Sequence, residues 1–415
     1  MTMRKIVVVG NGIAGLTACD SLRSAGFDGE LTVVGAERHQ PYSRPALSKA
    51  LLHAVDDNTV DWNSDGGLQP HVLPEPTHEA TELLGVSATG LDVEARLVRL
   101  DGGGELPYDG LVIASGSRAK RLGAGAQKTQ KKGAAGPQRD GSHRELTLRT
   151  IEDAILLKER VASRPSVIVI GGGALGMEVA SGCVHAGCEV TLVSDGKPLA
   201  RQLGDHLADI FTAAAIRRGL RVVGGGKARL VDHSAGAKVV LANGTALEAD
   251  LVVTAIGDAP NIGWLAGSNL LIDGQLRVDS RGRLRPDIVA AGDVASFPTR
   301  RGVERVPLWT SAIDQARIAG VGLLKGDAAP EFDFQPYFWT EGFGLSLKSA
   351  GFAPAVGPPD YCEPGGAEDS MLLRWDNTDG SGTAAALNYR IPVPKLRRFA
   401  DAGPAALRAA APART

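Results

Sequence analysis

The chain has 415 residues with 45 Lys and Arg against 47 Asp and Glu, a formal net charge of −2. That length suits two to four domains, and the balance lacks the basic excess expected of a nucleic-acid or anionic-membrane partner. Aromatic residues make up only 5%, which argues against a base-stacking platform, while 53 glycines far exceed the usual share of about 7%.

From the N-terminus, residues 1–5 lead into only four apolar positions before Gly10, too few for a signal peptide, and no apolar run reaches membrane-spanning length. The expectation is a soluble cytoplasmic protein. Residues 5–15 read KIVVVGNGIAG, a β-branched run ending in Gly-x-Gly-x-x-Gly. A helix over 16–23 and a second strand over 31–34 should follow. Gly10 permits the tight turn, Gly12 lets backbone approach a pyrophosphate, and Gly15 lets the helix pack on the strand. The N-terminal amides of that helix then face the phosphates, and Glu37 stands at the distance expected of a ribose-binding carboxylate.

Residues 108–116, YDGLVIASG, read as an acid, a buried strand, then Ser115 and Gly116. Residues 123–144 are polar and rich in Gly, Gln and Lys, as in a disordered loop. At 166–176 the first motif returns as SVIVIGGGALG, with Gly171, Gly173 and Gly176 in the three glycine roles. A helix over 177–185 and a strand over 189–193 follow, and Ser194 and Asp195 stand at the end of that strand. Residues 249–257, ADLVVTAIG, echo 108–116 and end at Gly257; residues 287–293, DIVAAGD, end at Asp293. An aspartate at the carboxyl end of a parallel strand is placed to accept from sugar hydroxyls. Two βαβ units therefore predict an α/β protein with two Rossmann-like nucleotide-binding domains.

With those residues in view, the chain resembles the FAD-dependent NAD(P)H:ferredoxin or rubredoxin reductases, the reductase components of bacterial P450 and ring-dioxygenase systems. The resemblance is carried by QPYSRPALSK at 40–49, ASGSR at 114–118, LRTIED at 148–153, AGDV at 291–294 and YFWT at 337–340. It implies a glutathione-reductase-like arrangement in which the first unit binds FAD and the second NAD(P)H. A discontinuous FAD domain over 1–118 and 249–325 would flank an NAD(P)H domain over 119–248, and a small α+β C-terminal domain would span 326–415. By the same resemblance Gly10, Gly12, Ile13, Ala14, Gly15, Glu37, Arg44, Lys49, Ala88, Ser115, Gly116, Asp293 and Trp309 would hold FAD. Gly171, Gly173, Ala174, Leu175, Gly176, Glu178, Ser194, Asp195, Arg201 and Gly257 would hold NAD(P)H. Lys49 and Glu152 match a Lys–Glu pair beside the reactive flavin nitrogen, where a cation stabilises the negative charge that arrives with hydride. Hydride from the nicotinamide would reach FAD, and single electrons would leave to a ferredoxin-type iron–sulfur protein that serves a P450 or other oxygenase.

Disulfide reductases of this plan place a redox cysteine beside the flavin. Here that segment has Ser43, Cys19 has no second cysteine near it, and Cys183 and Cys188, expected together on the NAD-domain helix, would point about 140° apart. Two alternatives remain open: a flavin oxidase or monooxygenase acting directly on oxygen or a small molecule, and a slow NADH-sensing flavoprotein. Asp195 favours NADH, whereas Lys197 and Arg201 lean toward NADPH. Lys128, Lys131, Lys132 and Arg139 in the 123–144 loop could steer an acidic ferredoxin. His71, His78, His143, His185, His206 and His233 are singly placed and give no metal site; His39 is expected nearer a cofactor, and His53 has no assigned role. Residues 400–415 read as a helix or a frayed tail. Monomer and homodimer are both compatible with this plan.

Overall fold

The computed structural model describes residues 3–49, 73, 76–122, 145–233, 236–367, 369–378 and 380–404. Its first sheet grows from the N-terminal run. Ile6, Val7, Val8 and Val9 are all buried, because strand Lys5–Val9 is covered on both faces and therefore reads as continuous apolar sequence rather than an alternation. It pairs in parallel with Glu30–Gly35 on one side and Gly110–Ile113 on the other, with Val7 opposite Thr32 and Leu111. Ile288–Ala290 joins in parallel beyond Gly110–Ile113, Thr81–Leu84 closes the far edge, and Arg283–Arg285 pairs antiparallel. The chain thus leaves its first sheet at Ile113 and returns to it only at Arg283.

The first helix is Ile13–Ser24. It begins earlier than the expected 16 because Gly12, extended at φ −97°, is its N-cap. Against it lies Trp309–Lys325, tied by a hydrogen bond from Ser21 Oγ to the Arg317 carbonyl (2.7 Å).

The second sheet repeats this plan. Its parallel strands run in the order Arg221–Gly224, Glu189–Ser194, Ser166–Ile170, Leu251–Thr254 and Glu145–Leu146, with helix Ala174–His185 after the glycine turn that ends Ser166–Ile170. Leu251–Thr254 therefore lies in the second unit, past the 248 boundary expected from sequence. It closes this sheet as Gly110–Ile113 closes the first. The two crossings between units, Ser117–Ala119 and Asp258–Pro260, pair antiparallel with each other. A second correction concerns the thiols: helix Ala174–His185 ends before Cys188, which lies just ahead of strand Glu189–Ser194.

The C-terminal segment, expected as a small α+β domain, forms an antiparallel sheet in the order Tyr337–Gly342, Leu345–Ala350, Gly382–Leu387, Met371–Asp376 and Tyr361–Pro364. Helix Val393–Ala402 buries Leu396, Phe399 and Ala400 against it. Its other face shares one core with the second unit, where Phe343, Leu347, Leu373 and Trp375 meet Val179, Cys183 and Phe211. No described helix is long and apolar enough to cross a membrane. Residues 123–144, with the Lys128, Lys131, Lys132 and Arg139 named above, and His53, His71, His143 and the residues beyond 404 lie outside the described residues.

Candidate functional site

The three glycines of the first unit have three different reasons to be glycine. Gly10 sits at φ +121°, and a Cβ there would lie 2.1 Å from the Ala114 carbonyl oxygen. A Cβ on Gly15 would lie 1.8 Å from the Gly10 oxygen, so helix and strand are in contact. Gly12 differs: a Cβ there would meet nothing within 4 Å, so its side of the turn is an open cradle at a helix N-terminus. Beside it the Asn11 amide is buried with neither its nitrogen nor its oxygen partnered among the described residues. Unspent hydrogen-bonding capacity in such a cradle fits a dinucleotide pyrophosphate.

The second unit repeats the geometry with one change. A Cβ on Gly171, at φ +119°, would lie 2.2 Å from the Ala255 oxygen and one on Gly176 would lie 1.9 Å from the Gly171 oxygen, but one on Gly173 would lie 3.1 Å from the Gln202 amide nitrogen. Ala174 and Leu175 form the first turn of the helix. Ser194, buried at the strand end, lies over Gly172, and Arg201 bonds Asp195 (2.9 Å). Gly257, at φ +97°, has open space on its Cβ side.

Between the units lies an ionic cluster. Lys49 Nζ is 2.8 Å from Glu178 Oε1, not paired with Glu152 as the resemblance implied. Glu152 instead lies 2.6 Å from His39 Nε2. The reason is placement: Glu178, in the second turn of Ala174–His185, points into the contact between all three segments, whereas Glu152 stands at the exposed start of helix Ile151–Val161. The Glu178 carboxylate also accepts hydrogen bonds from Ser48 Oγ and from Thr340 Oγ1 (2.6 Å). Ser48, Lys49, Glu178 and Thr340 are each less than 10% exposed, so this carboxylate has lost water and gained three protein donors. The Lys49 ammonium stands 5.9 Å from the Trp339 ring centroid.

The remaining predicted residues fall around this frame. Arg44 and Tyr42 both bond Glu37, and Arg44 also donates to the Arg149 carbonyl (2.8 Å). Burial opposes the Arg44 charge, but Tyr42 and Glu37 more than offset it. Ser115 Oγ donates to the Asn261 carbonyl (2.9 Å), and Gly116 turns at φ +64°. Asp293 accepts from Arg149 (2.8 Å) and Ser117 (3.1 Å). Gly292, just before it, is held by Gln315, whose Oε1 accepts from its amide (2.9 Å). Trp309 is half-buried at the start of its helix. Ala88 begins a strand of the small antiparallel sheet packed on the first unit's core.

Sequence reasoning missed Ser48, Thr340 and Arg149 as site residues. All three stand inside motifs already quoted, LSK, YFWT and LRT, so their segments were visible while their partners were not. Of the four thiols, Cys19, Cys183 and Cys188 are buried and Cys362 is exposed; none is paired. Burial pushes the Cys183 thiol up to about 12 and raises Cys19 further. Thiols so far above neutrality are poor nucleophiles. Among the described residues no cluster of His, Cys, Asp or Glu is arranged to hold a metal.

A family model described as pyridine nucleotide-disulphide oxidoreductase matches residues 4–316. The chain is 32% identical over 354 residues to the p-cumate 2,3-dioxygenase system ferredoxin–NAD(+) reductase component of Pseudomonas putida, covering 84% of this chain and 81% of that protein. It is 34% identical over 353 residues to the rhodocoxin reductase of Rhodococcus erythropolis, covering 83% and 78%. Among solved structures it is similar to the ferredoxin reductase for the CYP199A2 system from Rhodopseudomonas palustris, at a TM-score of 0.76 and 27% identity over 93% of this chain and 91% of that one.

Proposed function

The chain belongs to the pyridine nucleotide-disulphide oxidoreductase family, and from that membership we propose a cytoplasmic FAD-dependent reductase that takes reducing equivalents from NADH and passes them singly to a ferredoxin-type iron–sulfur protein. That protein would serve an oxygenase, a P450 or a ring dioxygenase, as the names of the relatives suggest. The observation that carries this reading is the buried Lys49–Glu178 pair with its two hydroxyl donors and no thiol in the cluster. A disulfide reductase needs a reactive thiolate, and every buried thiol here is held protonated or packed in a core.

Bound FAD supplies the exchange between two-electron and one-electron transfer. The chain supplies placement. The Gly12 cradle and the Asn11 amide would take the pyrophosphate, and Asp293, oriented by Arg149 and Ser117, would take sugar hydroxyls. Lys49 points its side-chain nitrogen into a water-poor site where negative charge would develop, and Glu178, itself pinned by Ser48 and Thr340, keeps that nitrogen in one place. Asp195 directly follows the second unit's strand Glu189–Ser194, a place where a carboxylate accepts from a ribose 2′-hydroxyl and repels a 2′-phosphate. On this reading kcat/KM is higher with NADH than with NADPH.

Protein purified with FAD supplied should carry a flavin absorption band near ~450 nm that bleaches on anaerobic titration with NADH. Absence of that band, or a band that NADH leaves untouched, contradicts the proposal.

A further inference from the structure

The loop after the second unit's strand Glu189–Ser194 carries Lys197 and Arg201, two cations that would welcome a 2′-phosphate if they were free. Both are engaged. Arg201 Nη2 is 2.9 Å from Asp195 Oδ2, and Lys197 Nζ is 3.1 Å from Asp205 Oδ1 and 2.8 Å from Asp209 Oδ1. Asp205 and Asp209 lie one turn apart on helix Asp205–Arg217, so their carboxylates project from the same face and bracket one ammonium. They also hold Lys197 above its usual pKa, Asp209 first.

The loop itself is anchored to the glycine turn. Leu199 N donates to the Gly172 carbonyl (2.7 Å), Leu199 adopts a left-handed φ of +65°, and Gln202 lies over Gly173. Lys197 is therefore two residues from a point bonded to the cradle, and its ammonium is taken up by two carboxylates.

We propose that Asp205 and Asp209 form a latch that withholds Lys197 from the adenosine ribose, so that preference for the unphosphorylated dinucleotide rests on Asp195 directly and on Asp205 and Asp209 through Lys197. The latch rests on the NADH reading above and makes Lys197 a specificity-determining residue. A 2′-phosphate reaching this loop must displace two carboxylates before it gains a cation, whereas a 2′-hydroxyl asks nothing of Lys197. Each exposed pair alone is weak, so the effect is a graded preference and not an absolute one.

The test is calorimetric titration of the FAD-supplied full chain with 5′-AMP and with 2′,5′-ADP. In D205N/D209N, where asparagine keeps the size of each side chain, the Kd for 2′,5′-ADP should fall about five- to tenfold, the scale of one ammonium freed for a phosphate. That gain should shrink at high salt, and 5′-AMP should bind within about twofold of the parent because no 2′-charge is involved. Adding K197M should erase the gain, and kcat/KM with NADPH should follow the same pattern. If the double variant folds poorly, D209N alone, inside the helix, should give a smaller gain of the same sign. Unchanged 2′,5′-ADP affinity in a parent that binds 5′-AMP, or a gain that survives K197M, overturns the latch alone. A parent that binds neither 5′-AMP nor NADH overturns the dinucleotide reading and the latch with it.

Discussion

At the scale of single residues, the site separates groups that make the fold from groups that face a ligand. Gly15 and Gly12 are three positions apart in one motif, yet a Cβ collides with backbone at the first and meets open space at the second. Gly15→Ala should therefore lower Tm sharply and lose flavin together, while Gly12→Ala should leave the Tm of the flavin-free protein within a few degrees and weaken FAD retention. Differential scanning fluorimetry with and without FAD separates the two. The Lys49–Glu178 pair makes a second prediction. Lys49→Met strands a buried carboxylate and should cost about 3 kcal/mol of stability, whereas K49M/E178L removes both charges and should recover most of it; denaturant unfolding of both variants checks this. The glycine roles were legible because a local motif dictates them. The choice of Glu178 over Glu152 was not, since the Ser48 and Glu178 contact spans 130 positions and nothing local says which acid turns inward.

At the scale of elements, the two βαβ units were readable because a doubly covered parallel strand must be apolar at every position and a glycine turn must follow it. What local pattern could not show is where an element stops belonging to one sheet and starts belonging to another, and so Leu251–Thr254 fell on the wrong side of a boundary. The C-terminal sheet was readable only as a class, because alternating partners in an antiparallel sheet are set by its core against Val179 and Phe211 rather than by any motif. Helix Ile151–Val161 shows an element placing a site residue. Thr150 and Asp153 form a capping box, and the Asp153 carboxylate also accepts from the Arg149 amide (2.8 Å), which fixes the residue whose guanidinium holds Asp293. Thr150→Ala should cost about 1 kcal/mol in chemical denaturation and loosen FAD retention beyond what that loss of stability explains.

At the scale of the whole molecule, carboxylates tie the units together. Burial acts to raise both Glu152 and Asp258, but the Glu152 backbone amide and His39 in one case, and Arg305 and Ser117 in the other, hold them below the ordinary carboxylate range. Asp258, in one of the paired crossings, takes both arms of Arg305 (2.6 and 3.0 Å). A carboxyl whose folded pKa lies below its unfolded one stabilises the fold above the unfolded value and loses that contribution as pH falls through the folded value. The contribution of these two carboxyls should therefore hold from neutrality down to about pH 4 and fade below it, and Asp258→Asn should flatten that acid limb in pH-dependent melting. The same architecture brings a loop from the first unit, a helix from the second and a strand from the C-terminal sheet onto one carboxylate, Glu178, with no thiol among them. Electrons arriving at this site are proposed to leave to a separate iron–sulfur protein. The most direct test is NADH-driven reduction of cytochrome c by the FAD-loaded chain, with and without a ferredoxin of an oxygenase system. A rate that rises at least about tenfold with added ferredoxin, with little oxygen consumed in its absence, is the predicted result; a rate indifferent to ferredoxin, with NADH oxidised rapidly by oxygen alone, would contradict it.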